Sequence, residues 1–145
     1  MLVVDTNVLV YAADADSPFH RPCRGWLEQQ RGRAEAWYIT WAIAYEFLRL
    51  TTHPRVMRQP WSVAAAWKFI TAVLASPGLT VLVPTQRHAE VARQVIAELP
   101  HLAGNLLHDA HTAMLMREHG VQRICTRDTD FHRFPFVEVI DPVQA

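Results

Sequence analysis

The sequence carries no excess of charge of either sign: Lys+Arg and Asp+Glu number 14 each. A neutral chain has no global field with which to collect a polyanion, so any grip on nucleic acid must come from local clusters. Lysine is nearly missing, with Lys68 the only one. Arginine suits bidentate contact with phosphate, but a genome rich in arginine codons explains the bias equally well. Cys23 and Cys125 are far apart and lack metal-ligand spacing. They read as buried thiols in a reducing compartment, which excludes a disulfide framework. No run approaches the roughly 20 apolar residues of a membrane span. The first apolar stretch is broken by Asp5 and Asn7 and has no basic segment before it, so no membrane association and a cytoplasmic location are expected. Repeats, low-complexity segments and linkers are also missing. The 145 residues, half of them hydrophobic and five of them tryptophan, are read as one domain, 1–145, able to bury roughly 70% of its unfolded surface.

What is present is an alternation of short apolar runs with helical periods. "LVV" is too brief for a helix and predicts a first strand that ends at Asp5. A helix is expected over "FHRPCRGWLEQQRG", with Phe19, Cys23, Trp26 and Leu27 on one stripe and Gly32 beyond its end. "AWYIT" predicts a second strand, followed by a helix in "WAIAYEFLRLTT" with Ile43, Phe47 and Leu50 in phase, which His53-Pro54 stops. Another helix in "SVAAAWKFITAVLASPG" is closed by Pro77 and Gly78, and "LTVLVP" follows as the third strand. "QRHAEVARQVIAELP" places Val91, Val95 and Leu99 in phase. "AGNLLHDAHTAMLMREHG" turns Leu106, Ala110, Ala113 and Met114 inward and ends at Gly120. "VQRICT" is a fourth strand and "FVEVI" a weaker fifth. Strands separated by helices of ten or more residues imply an α/β fold with a parallel sheet covered on both faces.

Ligands of such sheets bind beyond the carboxyl ends of the strands. Asp5 ends strand one, and Asp128 in "CTRDTDF" lies just past strand four, so both face one rim. Glu46 borders the buried stripe of its helix. Asp109 sits in the first turns of another helix, where the dipole favours a carboxylate. Each acid also has a plain reading: Asp5 caps the helix that follows, Glu46 is a solvated surface group, Asp109 is a dipole partner and Asp130 caps a turn at Phe131. Taken together they point to a cation. Two carboxylates about 5 Å apart repel by about 3 kcal/mol at an effective dielectric near 20. An all-oxygen site suits Mg²⁺ or Mn²⁺, the ions that promote phosphodiester hydrolysis.

"VVDTNVLVYA", the helical Glu46, "LRLTTHPRV", "GNLLHDAHTAML" and "CTRDTDFHRFP" together resemble the PIN domain, and within it the VapC toxins of bacterial toxin–antitoxin pairs. The resemblance covers essentially the whole chain. It implies a three-layer α/β/α sandwich with a mainly parallel sheet of four to five strands. It also implies a Mg²⁺-dependent endoribonuclease (Mn²⁺ being an alternative), RNA as substrate, a homodimer and a cognate antitoxin. Asp5, Glu46, Asp109 and Asp128 would be the catalytic acids, with Asp5, Asp109 and Asp128 as metal ligands. Glu46 would bind the metal directly or through water, or orient the attacking water. Thr126 would stand near substrate phosphate or a ligand carboxylate, and Asn7 would brace the first loop. Asp130 would cap the turn or hydrogen-bond a ligand. His108 and His111 lie outside this pattern and read as surface or substrate-facing residues.

Three rivals are weighed. The His108-Asp109 pair also marks a class of all-helical metal phosphohydrolases, which the β-rich segments contradict. A phospho-receiver domain needs an aspartate ending strand three and a lysine nearby; strand three ends in "VLVPT", and Lys68 lies inside a helix. A PIN nuclease outside any toxin–antitoxin pair, or a PIN scaffold that only binds metal or RNA, is the remaining alternative.

Overall fold

A computed structural model describes residues 1–144. In chain order the elements are β1 (Leu2–Val4), α1 (Thr6–Ala13), α2 (His20–Arg31), β2 (Trp37–Thr40), α3 (Trp41–Thr51), α4 (Val63–Leu74), β3 (Leu79–Leu82), α5 (His88–Glu98), α6 (Leu106–His119), β4 (Arg123–Cys125) and β5 (Glu138–Ile140), with a 3-10 turn over Thr129–Arg133. The strands form one sheet in the order β3-β2-β1-β4-β5, and every neighbouring pair is parallel. The expected three-layer α/β/α architecture is what the chain adopts, with the fifth strand in place.

Topology decides which helices cover which face. The chain steps from β1 to β2 to β3 in one direction and then returns past β1 to β4. Crossovers between parallel strands are right-handed, so α1 to α4 lie on one face and α5 with α6 on the other. The packing agrees: α1 touches α2 and α3, α3 touches α4, and α5 touches α6. The reversal falls between β1 and β4, and a crevice opens beyond the ends of such a strand pair.

The core is built from the strands outward. Val3, Trp37, Ile39 and Ile124 are fully buried in the sheet, with Phe47 and Ile70 beneath it and Leu115 above. Each such side chain contributes about 1.5–3 kcal/mol by leaving water. Two helices begin with almost no loop. Asp5 alone separates β1 from α1, and Thr40, the last residue of β2, caps α3 by accepting from the Ile43 amide at 3.0 Å. Short connections of this kind fix where side chains at the strand ends point. Gly78 opens β3 because a Cβ there would collide with the Glu35 carbonyl.

Several apolar stripes differ from the expectation in detail. Leu106 and Leu50 are half-buried, and Phe19 and Leu99 fall just outside their helices. In α6 the buried set widens to the whole run Thr112–Met116 plus Glu118. This helix is enclosed on most sides by the sheet, by α5 and by the 3-10 turn. Gly120 ends it in the left-handed conformation (φ 71°), with the Val121 amide donating back to the Met116 carbonyl at 2.9 Å.

Candidate active site

Register places the first two pieces. Val4 pairs with Cys125, and the Asp5 amide donates to the Cys125 carbonyl at 3.0 Å. Asp5 and Thr126 are therefore the residues that step off β1 and β4 together. Both are buried, and their side chains are tied to each other. The Thr126 hydroxyl donates to Asp5 Oδ2 at 2.8 Å, and Asn7 Nδ2 donates to Asp5 Oδ2 at 3.1 Å and to Thr126 Oγ1 at 2.9 Å. The Thr6 amide donates to Asp5 Oδ1 at 2.8 Å. Asp5 is thus the cap of α1, the plain role weighed for it, and it also lines a cleft. Asn7 Oδ1 accepts from the Arg127 amide at 3.0 Å, so it braces the β4 loop as well as its own. Burial is the largest influence on Asp5 and raises its pKa; the donors from Thr126, Thr6 and Asn7 oppose that, and the Asp128 charge adds to it.

The loop after β4 brings in the next acids. The Asp128 amide donates to Thr126 Oγ1 at 2.9 Å, and Asp128 Oδ1 accepts from the Asp130 amide at 2.9 Å. The 3-10 turn is therefore capped by Asp128, not by Asp130 as the plain reading held, because the capping position is the last extended residue before the turn. Across the cleft, Asp109 stands in the first turn of α6. Carboxylate oxygens of Asp109, Asp128 and Asp130 lie within 4.8 Å of one another. Desolvation, followed by repulsion from Asp128, Asp5 and Asp130, lifts the Asp109 carboxyl to about 7.

Glu46 of α3 lines the same cleft, which has a volume of about 730 Å³. It is engaged by Arg49 one turn on, through Arg49 Nη2 to Oε1 at 2.6 Å and Nε to Oε2 at 3.0 Å. Arg49, with a smaller contribution from the His108 charge, keeps the Glu46 carboxyl below its usual range despite some desolvation. His108 and His111 also line the cleft. Burial, aided by the neighbouring His88 and His108, lowers the pKa of His111. Arg127 is occupied elsewhere, with its guanidinium 4.0 Å over the Phe19 ring and 3.8 Å from Asp141.

Asp5, Asn7, Glu46, Asp109, Asp128 and Asp130 therefore border one cleft, while Thr126 stands behind it, hydrogen-bonded to Asp5. The tightest group contains Asp130, and Asp5 lies outside it. The donors are all carboxylate oxygens, the chemistry a hard divalent cation takes. The Asp128 charge adds to the rise in pKa at both Asp5 and Asp109, and Asp5 and Asp130 add to it at Asp109, so a cation would relieve the repulsion there as well. Arg49 was not singled out from the sequence, although its i,i+3 spacing from Glu46 on one helix signals the pair. Glu118 was also missed. Its buried carboxylate accepts from the Thr85 amide at 3.2 Å and the Thr85 hydroxyl at 3.0 Å, and His88 Nδ1 is 3.3 Å away.

The PIN domain family matches residues 2–137 of the chain. Ribonuclease VapC37 of Mycobacterium tuberculosis is 33% identical over 142 residues, covering 98% of this chain and 97% of that one. The solved structure of VapC20 from the same organism, a sarcin–ricin loop cleaving toxin, gives a TM-score of 0.67 at 20% identity over 97% of this chain and 100% of that one. VapBC2 from Rickettsia felis, solved bound to a DNA fragment from its promoter, gives a TM-score of 0.69 at 15% identity over 96% of each chain. These two structures share the fold.

Proposed function

The chain belongs to the PIN domain family and, within it, to the VapC ribonucleases, and from this premise we propose that it is a divalent-metal-dependent endoribonuclease acting as the toxin of a toxin–antitoxin pair. The observation that carries the metal-dependent reading is the convergence of Asp109, Asp128 and Asp130, from a helix and a loop, within 4.8 Å beside the buried Asp5. We read residues 1–145 as a single PIN domain working in the cytoplasm on RNA, as a homodimer. An antitoxin partner is supported by the likeness to a VapBC assembly.

In this reading Asp5, Asp109 and Asp128 hold Mg²⁺ or Mn²⁺, and Asp130 supports them. When bound, the ion supplies Lewis acidity to a phosphoryl oxygen and lowers the pKa of water. The remaining work falls to the chain. Thr126 and Asn7 hold the Asp5 carboxylate in one orientation, as partners behind a ligand do. Asp128 keeps the loop folded by capping its turn. Glu46, kept ionised by Arg49, accepts a hydrogen bond from the attacking water and orients it. His108 and His111 face the substrate.

Incubating purified protein with RNA in Mg²⁺ and in chelator tests the proposal. Cleavage in Mg²⁺ that chelator abolishes, and that Asp109→Asn lacks, is the expected result. Undiminished cleavage in chelator would overturn the metal-dependent reading, and no cleavage of any RNA would leave a binding module. Growth arrest on expression, relieved by a small protein encoded directly upstream, is expected of a toxin. An isolated gene whose expression leaves growth unchanged would favour an RNA-processing nuclease.

A further inference from the structure

Helix α3 carries an aromatic feature that the chemistry above does not use. Trp41 and Tyr45, one helical turn apart, stand in solvent at 43% and 64% exposure with ring centroids 6.4 Å apart and planes tilted by 49°. Their neighbours on the helix, Ala42 and Glu46, line the cleft. A step of four residues advances about 40° around an α-helix, so positions 41, 45 and 49 form a slow spiral. That spiral ends at Arg49, which is itself in the cleft wall. Two exposed rings thus lead towards the acidic cleft and finish on Arg49, whose exposed guanidinium is shared with Glu46.

We infer that Trp41, Tyr45 and Arg49 form a strip that binds unpaired RNA bases and backbone next to the scissile phosphate, an inference that rests on the ribonuclease reading of the same cleft. Three features favour this occupant. Every base has a π-face, so exposed rings stack on single strands with little regard to sequence, and arginine adds both phosphate and cation–π contact. The strip is continuous with the cleft, where a strand must lie to be cut. The rings also stand well out in solvent, at 43% and 64% exposure, so an unpaired base can reach them. A chain with no net charge has to gather its substrate through such local features.

The test is binding of a short labelled oligouridylate to the full chain in chelator, read by fluorescence anisotropy, beside a blunt RNA duplex. Trp41→Ala and Tyr45→Ala should each weaken single-strand binding by about 5- to 100-fold, while Trp41→Phe and Tyr45→Phe retain most of it. Duplex binding should be unchanged, because paired bases offer no open face. Arg49→Gln should lower the slope of log affinity against log salt by about one contact. Unchanged single-strand affinity in both alanine variants would overturn the strip. So would equal losses on the duplex, or conversion of a dimer to a monomer in sedimentation with no effect on single strands. The two readings fail separately: wild type that binds single strands yet cuts no RNA refutes the nuclease, whereas wild type that cuts RNA with the ring variants unaffected refutes the strip.

Discussion

The Thr126 hydroxyl donates a 2.8 Å hydrogen bond to the Asp5 carboxylate, joining the ends of two neighbouring strands across 121 residues of sequence. Thr126 is fully buried and Asp5 is buried beside it, so Thr126→Val would leave the Asp5 carboxylate short of one donor. The expected cost is about 1–3 kcal/mol in urea unfolding at neutral pH. Mg²⁺ affinity or cleavage should fall about 10- to 100-fold. Thr126→Ser should restore both, and a valine variant with unchanged Mg²⁺ dependence would show that the bond does not tune Asp5.

Asp109 makes the metal-free protein pH-sensitive in an identifiable direction. Its carboxyl is raised to about 7 from an ordinary value of 3.8, so the folded state holds a proton that the unfolded state has released. Stability in chelator therefore falls as pH rises from about 4 to about 7 and levels off above that. Asp109→Asn should flatten this profile and leave the metal-free protein as stable or more so at pH 7, while abolishing cleavage. Melting temperatures across that range, for both proteins in chelator, check it; a wild-type profile that rises through the window would contradict the assignment.

Asp128 and Asp130 should separate in a Mg²⁺ titration. Asp128→Asn keeps an oxygen to cap the 3-10 turn, so the loop survives and only the charge is lost; this variant should be close to inactive at any Mg²⁺ concentration. Asp130 is about half exposed, and Arg133 is 3.7 Å away. Asp130→Asn should be weakened and recover as Mg²⁺ is raised, as expected when a supporting group is lost. The reverse pattern would put Asp130 on the ion and Asp128 behind it.

Glu118 should matter for stability and not for chemistry. Its buried carboxylate holds Thr85 and His88, so Glu118→Ala should cost about 3 kcal/mol. Cleavage at a temperature where the variant is folded should stay near wild type. Hydrogen bonds from Thr85 and His88 outweigh desolvation and lower the Glu118 pKa. Its contribution is thus complete above its unfolded value of 4.5 and lost only as pH falls further, below most of the Asp109 window.

The fold was legible wherever local pattern and topology agree. "LVV" before Asp5 and "VQRIC" before Thr126 read as strands, and the helices between them dictate a parallel sheet, so the two strand-end acids could be placed on one rim. The capping of α1 by Asp5 was legible as well. The enclosure of α6 was not, because a helix covered on most sides loses the polar face that periodicity detects; the buried Glu118 therefore gave no signal in the sequence. The Thr126–Asp5 bond depends on the register between β1 and β4, which no local pattern encodes. The membership of Asp130 in the tight group depends on how a 3-10 turn winds, and residue spacing in a loop does not report that. Arg49 was within reach through its helical spacing from Glu46.

The most direct measurement is the chemistry of the cut ends. If the converged acids promote attack by water, RNA cleaved in Mg²⁺ carries 5′-phosphate and 3′-hydroxyl ends, so a 5′-phosphate-dependent exonuclease degrades the downstream fragments and no cyclic phosphate forms. Asp5→Asn and Asp109→Asn proteins yield neither fragment. Fragments with 2′,3′-cyclic phosphate and 5′-hydroxyl ends, produced equally well in chelator, would mean that the ribose 2′-hydroxyl attacks and that the acidic cluster is not the centre of the reaction.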